Sequence, residues 1–417
     1  MNNEIGRKLT SLTLMTIMLA GGMVIAAPSM VPEAAAAGAL YVSAENAAFN
    51  NTFGGAQIVE VIVIDPNRSQ TDEKQGEPTV KVDEHLLRMA QGADGNWYGY
   101  FGDSTAVAAA DSASNNLDFG VDEDPTGVSV SEATNVFLNA TDGVVSNPPA
   151  LSNYNNTVND QTAINVAKGA FSIGQIGIQD ASDNAMGNDK EWPMIQLYDF
   201  TIGEFNVVYE QAGPDEVVSL DYDSGDLDDY ASLELDRTAA PQGAEVHLTI
   251  TDNQLNIDPT AEDIVIFYTE PGEEGVSFTD GTSYSTGNYL AYDNYFDDNG
   301  KLLINNNTNG APIAVLNHTA TLDDAIADNH LIFWESAENS GVFVNTDDDD
   351  DSNLNVHNYA KRGTTATFDY NDSAQSFIVQ NDFGTIDMDE SSVGDEWNSG
   401  ETLTVTLIDQ DLNKNTA

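Results

Sequence analysis

The sequence predicts an all-β protein made of β-sandwich modules set in tandem, and three observations lead there. Two segments, Glu245-Val-His-Leu-Thr-Ile-Thr251 and Thr402-Leu-Thr-Val-Thr-Leu407, alternate strictly between polar and apolar residues. That is the pattern of a strand with one face buried and one wet. The run Ile58 to Ile64 is apolar except for Glu60 and mostly β-branched, which suits a strand covered on both faces. Finally, a unit of glycine, alternating strand, Asp, Leu and Asn occurs twice. Gly243 to Asp258 matches Gly400 to Asn415, with Asp252, Leu255 and Asn256 falling on Asp409, Leu412 and Asn413. A fainter copy runs from Gly55 to Asp65-Pro66-Asn67. One structural unit is therefore reused.

Residues 1–37 read as a secretory signal, with Arg7 and Lys8 ahead of the apolar Leu12 to Ala27 stretch and the small residues Ala34 to Gly38 after it. Thr13, Thr16, Gly21 and Gly22 interrupt the apolar run and Pro28 and Pro32 close it, short of the roughly 20 residues a spanning helix needs. The mature chain is expected to begin near Gly38 and to contain no membrane span.

Residues 38–215 form the first expected sandwich. Asp94-Gly95 before Trp97 to Phe101 is a hairpin signal, and Thr105 to Ala113 and Gln161 to Ala170 are short helical insertions. Residues 216–376 form the second, with a further hairpin signal at Asn299-Gly300 before Leu302 to Ile304. Residues 377–417 are the start of a third, truncated sandwich, because two strands alone cannot bury an apolar face.

The charge is extreme: 13 Lys and Arg stand against 69 Asp and Glu, a net charge of -56. Such a surface repels nucleic acid and anionic lipid and attracts small cations. Adaptation to salt is the plainer explanation of the same balance. There is no cysteine, so disulfides and thiolate metal sites are excluded. Apolar residues make up 41% of the chain, enough to pack cores.

No catalytic residue can be nominated. The chain lacks H-E-x-x-H, G-x-S-x-G, G-x-G-x-x-G and Walker signatures, and His85, His247, His318, His330 and His357 are far apart. His247 falls on the polar face of its strand and is expected to be solvated. A glycosidase carboxylate pair would carry no distinguishing mark among so many acids.

Divalent cations, calcium above all, are the better chemical expectation, because hard cations take oxygen ligands and alternate spacing lets a loop converge several of them. Asp221, Asp223, Asp226 and Asp228 have that spacing around Gly225. The turns that end the repeat strands offer Asp252 and Asp258, and Asp409 and Asp411. The competing reading of those turns is that each Asp satisfies its own backbone. The run Asp347, Asp348, Asp349, Asp350 and Asp351 is the densest charge, either a solvated tip or a cation-enriching site. Sequons at Asn50, Asn67, Asn139, Asn155, Asn306, Asn317 and Asn371 would be open to glycosylation in a secreted chain.

Several short stretches together carry a resemblance. They are Ile5-Gly-Arg-Lys-Leu-Thr-Ser-Leu-Thr-Leu-Met with the early Tyr41-Val-Ser, the strand ending in Asp409-Gln-Asp-Leu-Asn413, Phe333-Trp-Glu335 leading to Ser340-Gly-Val-Phe343, and Arg362-Gly363 before Thr367-Phe-Asp-Tyr370-Asn-Asp372. In these the chain resembles the surface-layer proteins of ammonia-oxidising archaea. The resemblance implies immunoglobulin-like domains, a glycosylated two-dimensional lattice of identical subunits, cation-dependent assembly, a C-terminal membrane anchor and no catalytic residues. On that reading the acidic sheet concentrates cations such as ammonium at the cell surface. A secreted carbohydrate-binding adhesin is the alternative, and an extracellular hydrolase a more distant one. An adhesin would present Trp97, Trp192, Trp334 or Trp397 as a solvent-facing platform, whereas a lattice protein would bury them.

Overall fold

The computed structural model describes residues 39–71, 76–111, 117, 136–138, 195–200, 203–269, 275–279, 300–305, 316–318, 330–347, 351–381, 384–389 and 398–414, less positions 84, 93, 353 and 413 and residue 372. The leader, the helix expected over Gln161 to Ala170, Asp348 to Asp350, Trp192 and Trp397 lie outside the described residues. So do Asn139, Asn155 and Asn306.

The chain is all-β, as the alternation requires, and its strands form two sandwiches followed by a hairpin. In the first module, one sheet runs in the order Ala39–Val42, Val59–Ile64, Trp97–Asp103, Ile195–Tyr198, Val136–Leu138. The facing sheet runs Thr52–Phe53, Glu216–Tyr222, Gly203–Glu210, Thr79–Val82, His85–Leu87. Between them lie Leu40, Val61, Val63, Trp97, Phe101, Tyr209 and Leu220. The other face of Val59–Ile64 and Trp97–Asp103 is covered as well, and Ile58, Tyr98 and Tyr100 belong to a second core. That double cover explains the near-continuous apolar run.

Asp94-Gly95 turns the chain as expected, with Gly95 at φ 89° and Ala90–Gln91 paired to Trp97–Asp103. The helix predicted from Thr105 starts one residue earlier, spanning Ser104–Asp111. Asp103 starts it by accepting the amides of Thr105 and Ala106 at 2.9 and 2.8 Å.

In the second module, one sheet runs Ser232–Leu235, Leu248–Thr251, Val342–Val344, His330–Glu335, Ile264–Tyr268, Gly275–Thr279. The other runs Ala239–Ala240, Gln375–Val379, Thr365–Asp369, Leu303–Asn305. The two modules share a plan. In each, a short strand crosses to the opposite sheet and pairs in parallel with the last strand of a hairpin: Thr52–Phe53 with Glu216–Tyr222, and Ala239–Ala240 with Gln375–Val379. Glu216–Tyr222 is hydrogen-bonded to Gly203–Glu210 along its length, so the first sandwich runs through Tyr222, past the boundary expected at 215. The link to the second is the short helix Ser224–Asp228.

The strand read from Glu245 is regular only over Leu248–Thr251, because Glu245 and Val246 give their amides to Lys414 and Leu354 at the sandwich edge. The three repeat glycines, Gly55, Gly243 and Gly400, all take positive φ, at 60°, 70° and 95°. A side chain would strain that left-handed backbone, so the glycine is the repeat's fixed opening.

The third unit is a two-stranded antiparallel pair, Thr385–Met388 with Val405–Ile408. All eight of its strand residues are exposed. Leu255 is fully buried, as the repeat predicts, but its counterpart Leu412 is 70% exposed and departs from that expectation. The reason is physical: Leu255 has a second sheet above it, whereas the hairpin that carries Leu412 has none among the described residues.

Leu255→Ala is expected to cost about 2–5 kcal/mol in urea unfolding. Leu412→Ala should stay within about 0.5 kcal/mol. Equal losses at the two positions would contradict this packing.

Candidate functional site: the joints between modules

The turn that closes each repeat strand is built by one aspartate. Asp65, Asp252 and Asp409 each accept, through Oδ1, the amide two residues ahead, at 2.8, 2.9 and 3.0 Å. This is the Asx-turn reading of the sequence, and in the second and third units it caps a single 3-10 turn, Asn253–Leu255 and Gln410–Leu412.

The second oxygen has a role that sequence reasoning missed. The Tyr209 hydroxyl donates to Asp65 Oδ2 at 2.6 Å, and the Tyr370 hydroxyl donates to Asp252 Oδ2. Both tyrosines lie on the first strand of their module's closing hairpin or directly after it, two residues beyond the core residues Val207 and Phe368. The apolar-x-Tyr pattern was the available signal. Both oxygens of Asp252 are therefore taken by the protein itself. Burial is the main cause that raises its carboxyl to about 7, with the Tyr370 bond pulling the other way.

Beyond Asp252 and Asp409, the turn inserts into the module before it. Ile58 gives its amide to the carbonyl of Ile257 at 3.2 Å, and Glu245 gives its amide to the carbonyl of Lys414 at 2.8 Å. These are the same bond made twice. Ile58 and Glu245 each stand seven residues before their own module's turn aspartate, and Ile257 and Lys414 five residues after theirs.

Around the first joint, Gln57 donates to the Asn256 carbonyl, Asn253 to that of Thr52 and Asn339 to that of Ser43, at 3.3, 3.4 and 2.9 Å. Gly341, at φ 62°, stands where a Cβ would lie 3.0 Å from the Phe49 ring. Around the second, Arg237 reaches the Lys414 carbonyl at 2.9 Å and Asn381 donates to Asp411 at 2.8 Å. The apolar core of the second module continues into Ala56, Ile58, Tyr98 and Tyr100 of the first.

Carboxylates are buried in the same turn. Asp258 holds Thr260 through its amide and hydroxyl at 2.8 and 2.6 Å. Asp263 Oδ2 accepts the amides of Ile257 and Asp258 at 2.6 and 2.9 Å. Glu335 accepts the amides of Asp263, Ser340 and Gly341 at 3.1, 2.7 and 2.8 Å. On the first module's side of the joint, Tyr100 donates to Glu60 at 2.7 Å, which accounts for the one acid in its apolar strand. Asp263 Oδ1, Asn256 Oδ1 and Gln254 Oε1 are buried without a donor.

The loop Asp221 to Asp229 has a divided role. Asp223 caps the helix through Gly225 and Asp226 at 2.9 and 3.2 Å, and Asp228 accepts from Gln254 at 3.2 Å. Asp221 has a buried Oδ1 without a donor. Burial first, then Asp223, Asp226 and Glu204, raise its carboxyl above the ordinary range. Among the described residues, no three of His, Cys, Asp and Glu are grouped closely enough to hold a metal as placed.

Asp347 and Asp351 close the acidic tip, the amide of each meeting the other residue at 3.1 and 2.9 Å. Of the sequons, Asn50 is exposed, Asn67 is exposed with its amide on Asp65, and Asn371 is spent on the Asp228 carbonyl at 2.6 Å. Asn317 lies on the strand Leu316–His318. His247 is partly buried, 3.3 Å from Glu245, and not solvated as its face implied. Trp97 is fully buried with its ring nitrogen on the Arg68 carbonyl at 2.9 Å, and Trp334 is half-buried against Ile264, Ile266 and Ile332.

Tyr370→Phe strands a buried acceptor and is expected to cost about 1–3 kcal/mol. The Tyr370 bond favours ionised Asp252, so the loss should be larger at pH 8.5 than at pH 5.5 in thermal unfolding. A loss that grows toward acid pH would contradict the bond.

No protein-family model matches the chain, and no curated protein matches it.

Proposed function

We propose that the chain is a structural component of an external protein lattice, a run of immunoglobulin-like sandwiches that forms part of a polyanionic surface layer and has no catalytic role. The observation that carries this reading is the joint. The same backbone bond recurs from module to module, and one apolar core continues across the first interface. Interfaces of that kind restrict domain motion, which a rigid array needs and a flexible string of binding domains does not.

Two further observations support it. Trp97 is turned into a core and Trp334 is half-buried against Ile264, Ile266 and Ile332, so neither is the open platform an adhesin would present. The net charge of -56 would recur in every copy and hold small cations, ammonium among them, close to the carboxylates. The leader directs the chain outside, and Asn50 is the best placed of the described sequons for glycosylation. Among the described residues, no helix is long and apolar enough to cross a membrane.

Calcium enters this reading as a counterion at the Asp221 to Asp226 loop, where like charges crowd a buried oxygen. Extracellular calcium sites commonly have Kd near 10⁻⁴ to 10⁻³ M, so calcium at ten times Kd adds about 1.4 kcal/mol per site. Chelation should lower the melting temperature and disperse ordered sheets viewed by electron microscopy. Unchanged melting and unchanged sheets would remove calcium from the reading, and native envelopes without a periodic array containing this chain would remove the lattice itself.

A further inference from the structure

Among the described residues, Asp263 is the one carboxylate of the first joint that combines complete burial with an oxygen lacking any donor. Its Oδ2 fastens Ile257 and Asp258, and Ile257 is the residue whose carbonyl receives Ile58 from the first module. Asp263 is thus one step from the bond that joins the modules. The charged groups that act on it are Glu335, from the strand His330–Glu335, and Asp258, from its own turn. Facing Asp258 from the first module are Tyr100, bonded to Glu60, and beyond it Tyr98, bonded to Asp94. Every one of these is an acid or a phenol.

An ionised carboxylate buried among acids is costly unless something neutralises it. We propose that Asp263 is a proton-binding site that operates the joint, which closes when the carboxyl is neutral and loosens when it ionises. A proton fits the site better than a metal. Glu335 has both oxygens on backbone amides and Asp258 has Oδ1 on Thr260, whereas Asp263 Oδ1 is a buried carboxylate oxygen without a donor. Calcium takes six to eight oxygens.

The direction of the effect follows from burial. Desolvation, then Glu335 and Asp258, hold the Asp263 carboxyl well above the ordinary range, and Glu335 is itself raised to about 7, chiefly by burial. A group raised by folding gains its proton with the fold. Its contribution is complete below the ordinary carboxylate range and is lost as pH rises through the folded value, so the joint is tight below that value and slack above it.

Hydrogen exchange of the folded protein, corrected for intrinsic rate, tests this between pH 5.5 and 8.5. Protection at the amides of Ile58, Ile257 and Asp258 should fall at least tenfold across that range, while the hairpin Gly203–Glu210 with Glu216–Tyr222 stays unchanged. Asp263→Asn keeps an oxygen for the two amides and carries no charge. In that variant, protection should be equal at both pH values and match the acid form of the wild type. Constant protection in the wild type, or an Asp263→Asn variant as pH-sensitive as its parent, overturns the proposal. A third arm adds 10 mM calcium chloride or EDTA at pH 8.5. If calcium restores protection and EDTA abolishes it, the neutralising species is a metal ion and the proton reading falls. The wild-type series decides the matter even if the variant does not fold.

Discussion

The placement of the second module depends on how Asp252 distributes two oxygens. One fixes the turn by holding the Gln254 amide, and the other holds the Tyr370 hydroxyl that follows the strand Thr365–Asp369 of the opposite sheet. A single buried carboxylate thus ties the two sheets together at the point where the chain leaves the strand Leu248–Thr251. The turn it shapes is what enters the preceding module. Without the Asx geometry, Asn253, Asn256 and Ile257 would not reach Thr52, Gln57 and Ile58. Asp65 and Tyr209 repeat the arrangement in the first module, so the link between sheets and the link between modules are two uses of one turn.

Much of the fold was legible in the sequence. Alternation located Leu248–Thr251 and Val405–Ile408, the Asp94-Gly95 pair located a hairpin, and the repeat located Leu255 in a core. Local pattern did not carry the pairing of strands distant in sequence. Glu216–Tyr222 reads equally well as the opening of a second module, and only its ladder with Gly203–Glu210 assigns it to the first. Leu412 failed for a related reason: burial depends on what lies above a strand, and nothing local in the repeat records that.

The site was legible in part. Acids at the strand ends stood out, but their partners did not, because Tyr209 and Tyr370 are 144 and 118 positions from the aspartates they serve. Asp263 had no local mark, and Glu335 stood out only as the end of Phe333-Trp-Glu335, with nothing there to show that it is buried. In a chain with 69 acidic residues, the informative ones are the few removed from water, and burial is a property of the whole fold. Among the described residues the acidity accordingly divides in two: a majority in contact with solvent that sets the field outside, and a small buried minority that holds amides in place.

The two joints are written in main-chain atoms. The first is made by Ile58 and Ile257, both buried and apolar, the second by Glu245 and Lys414, one half-buried and the other exposed, and both charged. An amide and a carbonyl present the same face whatever side chain they carry. Mutation can therefore recolour the surface at these positions, from greasy to charged, without changing the step between neighbouring modules. Shape and surface chemistry are separately heritable in such a chain, and a lineage could pile up acid on its exterior while its skeleton stayed the same.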